Sequence, residues 1–311
     1  MSDSKIETPL LTVAICTYNR SAYLIDTLRG LEAQRGEVAG VEVLVVNNNS
    51  SDATESLLRD WVWRGRCSWR WVNEAKQGLS YARNRALGES AAPWVLYIDD
   101  DVFVAEDFLE SWLGFIRRHD RIAGGGGPIA VHFDAGRPGW FPMVLRQMLG
   151  YHAPYDAEVR YRGGDYPHGG NMLVDCELAL RLGGFDLELG RKGAVLGGGE
   201  EKELFGRIRG AGGAVWYNQG AGLRHRIGAE RLTREYVLGQ ARGMGAGDRR
   251  VWGAGVGVVR WGVVQGGKVL GTLVFALGYA LIGQVEAASL LLRFRYELIK
   301  GFLHVPKTDK G

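Results

Sequence analysis

Cysteine is scarce in this sequence, and its three copies, Cys16, Cys67 and Cys176, stand far apart with no CxxC spacing. That removes the case for a disulfide framework or a thiolate zinc site and suits a reducing compartment. A dominant charge is also missing. The 38 Lys and Arg against 35 Asp and Glu leave a formal net charge of +3, too little by itself to argue for nucleic acid as a partner. No internal repeat is visible. The first residues are polar through Glu7, without an export signal, so the cytosol is the expected location. Asn48 and Asn49 each fit a glycosylation sequon, which in that location is read as chance.

What is present is a globular composition, 46% hydrophobic and 23% charged, long enough for one large catalytic domain with a smaller appendage. Forty-seven glycines point to many tight turns and close backbone approaches.

Residues 10–16 form an apolar, β-rich run that reads as a buried parallel strand and ends at Thr17-Tyr18-Asn19-Arg20. Ser21 is placed to cap a helix through about Gln34. Val41 to Val46 is a second buried strand, closed by the polar cluster Asn47 to Asp52, with a helix over roughly Ala53 to Trp63. A strand at Trp69 to Val72, a helix at Leu79 to Ser90 and a strand at Trp94 to Ile98 follow, the last running into Asp99-Asp100-Asp101. Strands alternating with helices predict an open, mostly parallel α/β sheet, with its ligand at the carboxyl ends of the strands. The polar clusters fall at those ends. Residues 124–170 carry no clear period; 171–184 read as a strand and helix, 200–210 as a helix, and Ala214 to Tyr217 as a strand.

After about Asp248 the composition changes. From Val269 to Leu292 the only charged residue is Glu286, with Arg249, Arg250, Arg260 and Lys268 on one flank and Arg293, Arg295 and Lys300 on the other. The length allows a spanning helix, but Gly271, Gly278, Gly283, Gln284 and Glu286 make a poor one. The basic flanks suit an in-plane helix or hairpin on an anionic membrane surface. The alternative is a helical subdomain packed on the catalytic core or on a second copy of the chain. The expected division is a disordered 1–9, a catalytic 10–248, a helical, membrane-associated 249–304 and a disordered 305–311.

Three carboxylates directly after an apolar strand are costly to hold together unless a cation neutralises them. Oxygen ligands favour Mg²⁺ or Mn²⁺, which complete their shells with water and substrate phosphates. In extended backbone Asp99 and Asp101 project to one side and Asp100 to the other, so the metal pair is Asp99 and Asp101. His225, between Arg224 and Arg226, is able to add an imidazole ligand, and the arginines to hold a diphosphate. Glu200-Glu201 open a helix after the loop Leu196 to Gly199, where a carboxylate is placed to take a proton from an attacking hydroxyl; helix capping is the plainer reading. Gln77 to Asn84 opens another helix, whose first amides and Arg83 are candidates to face a phosphate or ribose.

The order of these motifs resembles the family 2 glycosyltransferases, which have the GT-A fold. The matching stretches are Val13 to Arg20, Val45 to Thr54, Gln77 to Asn84, Asp99 to Asp101, Gly169 to Met172, Gly183 to Asp186, Gly199 to Leu204, and His225. The resemblance implies a single in-line, inverting transfer from a nucleoside diphosphate sugar, UDP-sugar by family frequency, to a hydroxyl of a glycan or lipid-linked acceptor. It places Thr17, Tyr18 and Arg20 around the nucleotide, Asn47 and Asn48 at the base edge, and Arg83 and Asn84 near ribose and phosphates. Asp99 and Asp100 lie with the donor, and Gly170 and Asn171 line the sugar and acceptor pocket. A divalent cation sits on Asp99, Asp101 and His225. The acid pair maps onto Glu200 and Glu201, with Glu201 as the base. Asparagine stands at 47 where the family usually has aspartate, and glutamate at 201 where aspartate is commoner.

Two other classes compete. A non-catalytic nucleotide-sugar-binding or scaffold subunit would have no need of both the acidic triplet and the glutamate pair. A nucleotidyltransferase of related sheet architecture would be expected to carry a Gly- and Lys-rich phosphate loop after its first strand, and none is there.

Overall fold

The computed structural model describes residues 8–119, 121–191, 198–253 and 255–304. Of the expected disordered ends, residues 1–7 and 305–311 lie outside the described residues, as do Leu196 and Gly197 of the loop before Glu200. The chain forms two compact units. The first comprises Met1–Ala130, Gly150–Leu187 and Glu200–Arg226, the second Val131–Leu149, Glu188–Gly199 and Ile227–Gly311.

In the first unit the chain runs β1 (Leu11–Thr17), α1 (Ser21–Glu32), β2 (Val41–Asn47), α2 (Thr54–Asp60), β3 (Ser68–Asn73), α3 (Leu79–Glu89) and β4 (Trp94–Ile98). It continues through β5 (Val102–Val104), α4 (Phe108–Arg118), β6 (Gly124–Gly126), the start of β7 (Ile129–Phe133), β8 (Val159–Arg160) and β9 (Asn171–Asp175). Then come α5 (Cys176–Arg181), α6 (Glu200–Gly210), β10 (Val215–Tyr217) and most of β11 (Leu223–Ile227). The main sheet has the order β3-β2-β1-β4-β9-β6-β10-β8. Strands β3, β2, β1 and β4 are parallel, and the buried, mostly apolar β2, β1 and β4 are what such a sheet requires of its inner strands. Strand β9 enters antiparallel beside β4, pairing Asn171 with Ile98. The carboxyl ends of β1, β2 and β4 and the start of β9 thus share one edge of the sheet.

Strand β6 is three glycines, which reads as a loop in sequence. A Cβ at Gly124 would lie 2.7 Å from Phe205 and 2.9 Å from the Leu173 carbonyl, so the bare backbone is what lets α6 and β9 close on it. Helix α1 begins at Ser21 itself, and the Ser21 hydroxyl donates to Asp52 across the β2–α2 loop rather than capping the helix. Asn19 and Asn49 both hold positive φ, 53° and 58°, a conformation asparagine tolerates better than most residues. The Asn19 side chain accepts from the Ser51 amide at 2.7 Å, tying the loop after β1 to the loop after β2.

The second unit contains a 3₁₀ turn (Met143–Leu149) and three helices, α7 (Arg234–Trp252), α8 (Val256–Leu281) and α9 (Val285–Leu303). Helix α7 runs through Asp248, where the composition changes. Helices α7 and α9 meet at glycine. A Cβ on Gly245 would strike the Leu298 carbonyl, and one on Gly301 the Arg242 carbonyl. The core joins Phe141, Val237, Leu290, Leu291, Phe294 and Phe302.

Candidate active site

Three features converge on the sheet edge where β1, β4 and β9 meet. The first is the acidic triplet after β4. Asp100 turns inward, accepting from the Thr17 hydroxyl at 2.6 Å with Arg20 Nε 3.0 Å away. Burial, outweighing the attraction of Arg20, pushes its pKa up to about 7. Asp101 is fully buried, with one oxygen 2.5 Å from Arg20 Nη2 and the other 2.9 Å from His225 Nε2. Asp99 is partly exposed, 3.8 Å from the same imidazole nitrogen. Ligand atoms of Asp99, Asp101 and His225 all lie within 4.8 Å of one another. Two carboxylates and an imidazole converging on one point fit a hard divalent cation.

The second feature is a buried cluster of Arg83, Glu200 and Glu201. Arg83 Nη1 donates to Glu200 Oε1 at 3.0 Å, and both its Nη atoms donate to Glu201 Oε1 at 3.2 Å. Arg83 is 3% exposed. Burial works against its charge, but the two carboxylates outweigh it and raise its pKa. Glu201 is the mirror case: burial would raise its pKa, yet Arg83, with His168, holds it below the ordinary carboxylate value. Glu201 is therefore ionised at neutral pH.

The third feature joins the other two. Gly169 and Gly170 precede β9, and a Cβ on Gly169 would overlap Arg83 Nη2 and Glu201 Oε1. A Cβ on Gly170 would come within 2.8 Å of Asp99 Oδ2. The glycine pair thus touches the acid triplet on one side and the Arg83–glutamate cluster on the other.

The remaining expected residues divide by what their side chains do. Tyr18 is 37% exposed at the end of β1. Asn47 donates to Asn73 at 2.8 Å and accepts from the Ser50 amide. Asn48 donates to the Glu74 and Lys76 carbonyls and accepts from the Gly78 amide, clamping the loop before α3. Both are almost fully buried, so these amides are committed to the loops rather than turned outward. Asn84 exchanges two 2.8 Å hydrogen bonds with the backbone of Phe185. Asn171 donates to the Ala221 carbonyl at 2.7 Å, while its own buried carbonyl oxygen has no hydrogen-bond partner.

Two histidines escaped the sequence reading. His168, just before the glycine pair, lies close enough to Glu201 to contribute to its charge balance, and burial lowers its pKa. Its ring packs at 4.0 Å on His152. His152 is bonded at 2.7 Å to the Tyr161 hydroxyl, and burial takes its pKa down to about 2. Neither lies in a motif, and only the fold brings them together.

The chain belongs to glycosyl transferase family 2, whose sequence profile matches residues 12–178. It is 26% identical over 250 residues to the succinoglycan biosynthesis protein ExoM of Rhizobium meliloti, covering 76% of this chain and 75% of that protein. It is 23% identical over 244 residues to a glucosyl-dolichyl phosphate glucuronosyltransferase of Haloferax volcanii, covering 73% and 72%. Among solved structures, the mannosyltransferase PcManGT from Pyrobaculum calidifontis, in complex with GDP-Man and Mn²⁺, matches with a TM-score of 0.61 at 17% identity, over 94% of this chain and 88% of that one. The fold is the GT-A type of glycosyltransferases.

Proposed function

We propose that this glycosyltransferase is metal-dependent and inverting. It would move a sugar from a nucleoside diphosphate donor, UDP-sugar first among the candidates, to a hydroxyl of a glycan or lipid-linked acceptor. The observation that carries the reading is the glycine pair, which sets an ionised buried glutamate and an Asp-Asp-His cluster side by side on one sheet edge.

In this scheme Glu201 takes the proton of the acceptor hydroxyl as its oxygen attacks the anomeric carbon. The bond from that carbon to the diphosphate oxygen breaks on the opposite face, and configuration inverts. Arg83 keeps Glu201 deprotonated and fixes its position, with Glu200 sharing the guanidinium. Asp99, Asp101 and His225 hold a divalent cation, Mn²⁺ or Mg²⁺, which when bound supplies positive charge for the departing diphosphate. Thr17 and Arg20 position Asp100 and Asp101, and Tyr18 presents its ring to the base. Asn47, Asn48 and Asn84 act through the loops they clamp, and Gly170 and Asn171 bound the sugar pocket.

The test is calorimetry against a panel of UDP-, GDP- and dTDP-sugars with and without Mn²⁺. Removing one partner of a buried ion pair outright costs about 3–5 kcal/mol, so the isosteric Asp101→Asn is the variant of choice. It should weaken Mn²⁺-dependent donor binding at least about tenfold and keep the fold. Glu201→Gln should bind donor normally and lose at least about a hundredfold in transfer. Unchanged donor affinity in Asp101→Asn would remove the cation from this site. A well-folded protein that binds donor but transfers nothing to any acceptor would favour a scaffold subunit.

A further inference from the structure

Helix α8 packs with its polar side inward. The residues it buries are Trp261, Gln265, Thr272 and Ala276, which share one face at helical spacing. Arg295 of α9 donates to Gln265 Oε1 at 2.8 Å and to Thr272 Oγ1 at 3.2 Å. Trp261 stacks on Phe302 at 3.6 Å and donates to Asp248 at 2.9 Å. The opposite face is aliphatic and open: Val259, Val263, Leu270, Val274, Leu277 and Leu281 recur at intervals of three, four and seven, each at least 61% exposed. A helix stabilised by water does the reverse, burying its aliphatic stripe and exposing its polar one. An aliphatic face of this length is far beyond the scattered apolar residues of an ordinary surface.

Charge says what covers it. Residues 227–304 carry ten Lys and Arg against five Asp and Glu, an excess of five, while the whole chain has an excess of only three. The positive charge of the protein is therefore concentrated in this region. Exposed Arg260 lies beside the aliphatic stripe, while Lys268 falls on the other side of the helix, with Gln265 and Thr272. From Val269 to Val285 there is no charged side chain for 17 residues. Among the described residues α8 is the one helix long and apolar enough to cross a membrane by length and composition. Its packing argues against crossing: α9 runs alongside with Glu286, Arg293, Arg295, Glu297 and Lys300, and their burial in hydrocarbon is expensive.

We infer that α8 lies in the plane of an anionic lipid bilayer. Its aliphatic stripe sits among the upper acyl chains, Arg260 reaches the headgroups from the flank of the stripe, and α9 backs it on the water side. The inference uses only the second unit and does not rest on the catalytic reading.

The experiment is vesicle co-sedimentation of the full-length protein with purely zwitterionic vesicles and with vesicles containing a third phosphatidylglycerol. Wild-type protein is expected to pellet with the anionic vesicles and to release as salt shortens the Debye length. The triple variant Leu270→Glu, Val274→Glu, Leu277→Glu changes only exposed positions. It should keep the wild-type melting temperature and lose vesicle partitioning at least about tenfold. Arg260→Gln should cut the preference for anionic over zwitterionic vesicles about fivefold, one cation being worth about 1 kcal/mol at such a surface. Wild-type protein that pellets with neither vesicle, or a triple variant that pellets unchanged, would overturn the inference. So would a wild-type dimer without vesicle binding that the triple variant converts to monomer, which would make the stripe a contact between two copies.

Discussion

Gly169 lies over Arg83 so closely that a methyl group there would occupy the space of the guanidinium and of the Glu201 carboxylate. The missing side chain is part of what keeps the Arg83–Glu200–Glu201 cluster closed. Gly169→Ala should therefore displace the cluster without touching the acid triplet. A shift of about 1 Å in a catalytic group costs on the order of a hundredfold. The expected outcome is a fall of that size in transfer rate with donor affinity nearly unchanged, read by steady-state kinetics beside calorimetry. Near-normal turnover would place the chemistry elsewhere.

Arg83 also sets the proton affinity of Glu201. Burial alone raises that pKa, and the guanidinium is what brings it below the ordinary value. A carboxylate with a depressed pKa stays ionised until pH falls through that lowered value, and its function is lost only below it. In Arg83→Gln the burial remains and the cation is gone. The acidic limb of the kcat profile should then move up by at least about one pH unit, with Arg83→Lys restoring part of the shift. A limb that does not move would leave Arg83 a purely structural role.

His152 makes the fold sensitive to acid. It is buried and neutral, its pKa lowered from 6.5 to about 2, whereas the unfolded chain takes up a proton once pH drops below the ordinary value. Its contribution is thus complete above that value and is lost as pH falls, at about 1.4 kcal/mol per pH unit. Urea unfolding of His152→Gln between about pH 6 and pH 4 should show a slope shallower by one proton's worth. An unchanged slope would assign the acid sensitivity to other groups.

Most of the parallel half of the sheet was legible because buried parallel strands read as unbroken apolar runs, and β1, β2 and β4 each end in a polar cluster. The Asp99, Asp101 and His225 grouping followed from strand alternation and motif order. What stayed hidden was tertiary. Gly124–Gly126 gives no strand signal, since a strand of glycine is selected by the neighbours that press on it. Ser21 looked like a cap, but Asp52, brought in from the next loop, is a better partner for its hydroxyl. Arg83 read as a helix cation placed to face a phosphate or ribose, and only the fold shows two glutamates closing around it. His152 and His168 sit 16 residues apart without a motif, in a stretch of glycine, proline and aromatics where no periodicity guides a reading.

The acid triplet and the glutamate pair together carry five carboxylates, and Arg20 and Arg83 each bring a guanidinium against two of them. In the proposed scheme, a diphosphate approaching Asp99 and Glu201 before any cation would meet like charge at close range. Repulsion of this kind would, in that scheme, rank the arrivals in time, with metal preceding or accompanying the nucleotide. It would also screen out free phosphate and other small anions that could otherwise crowd the pocket.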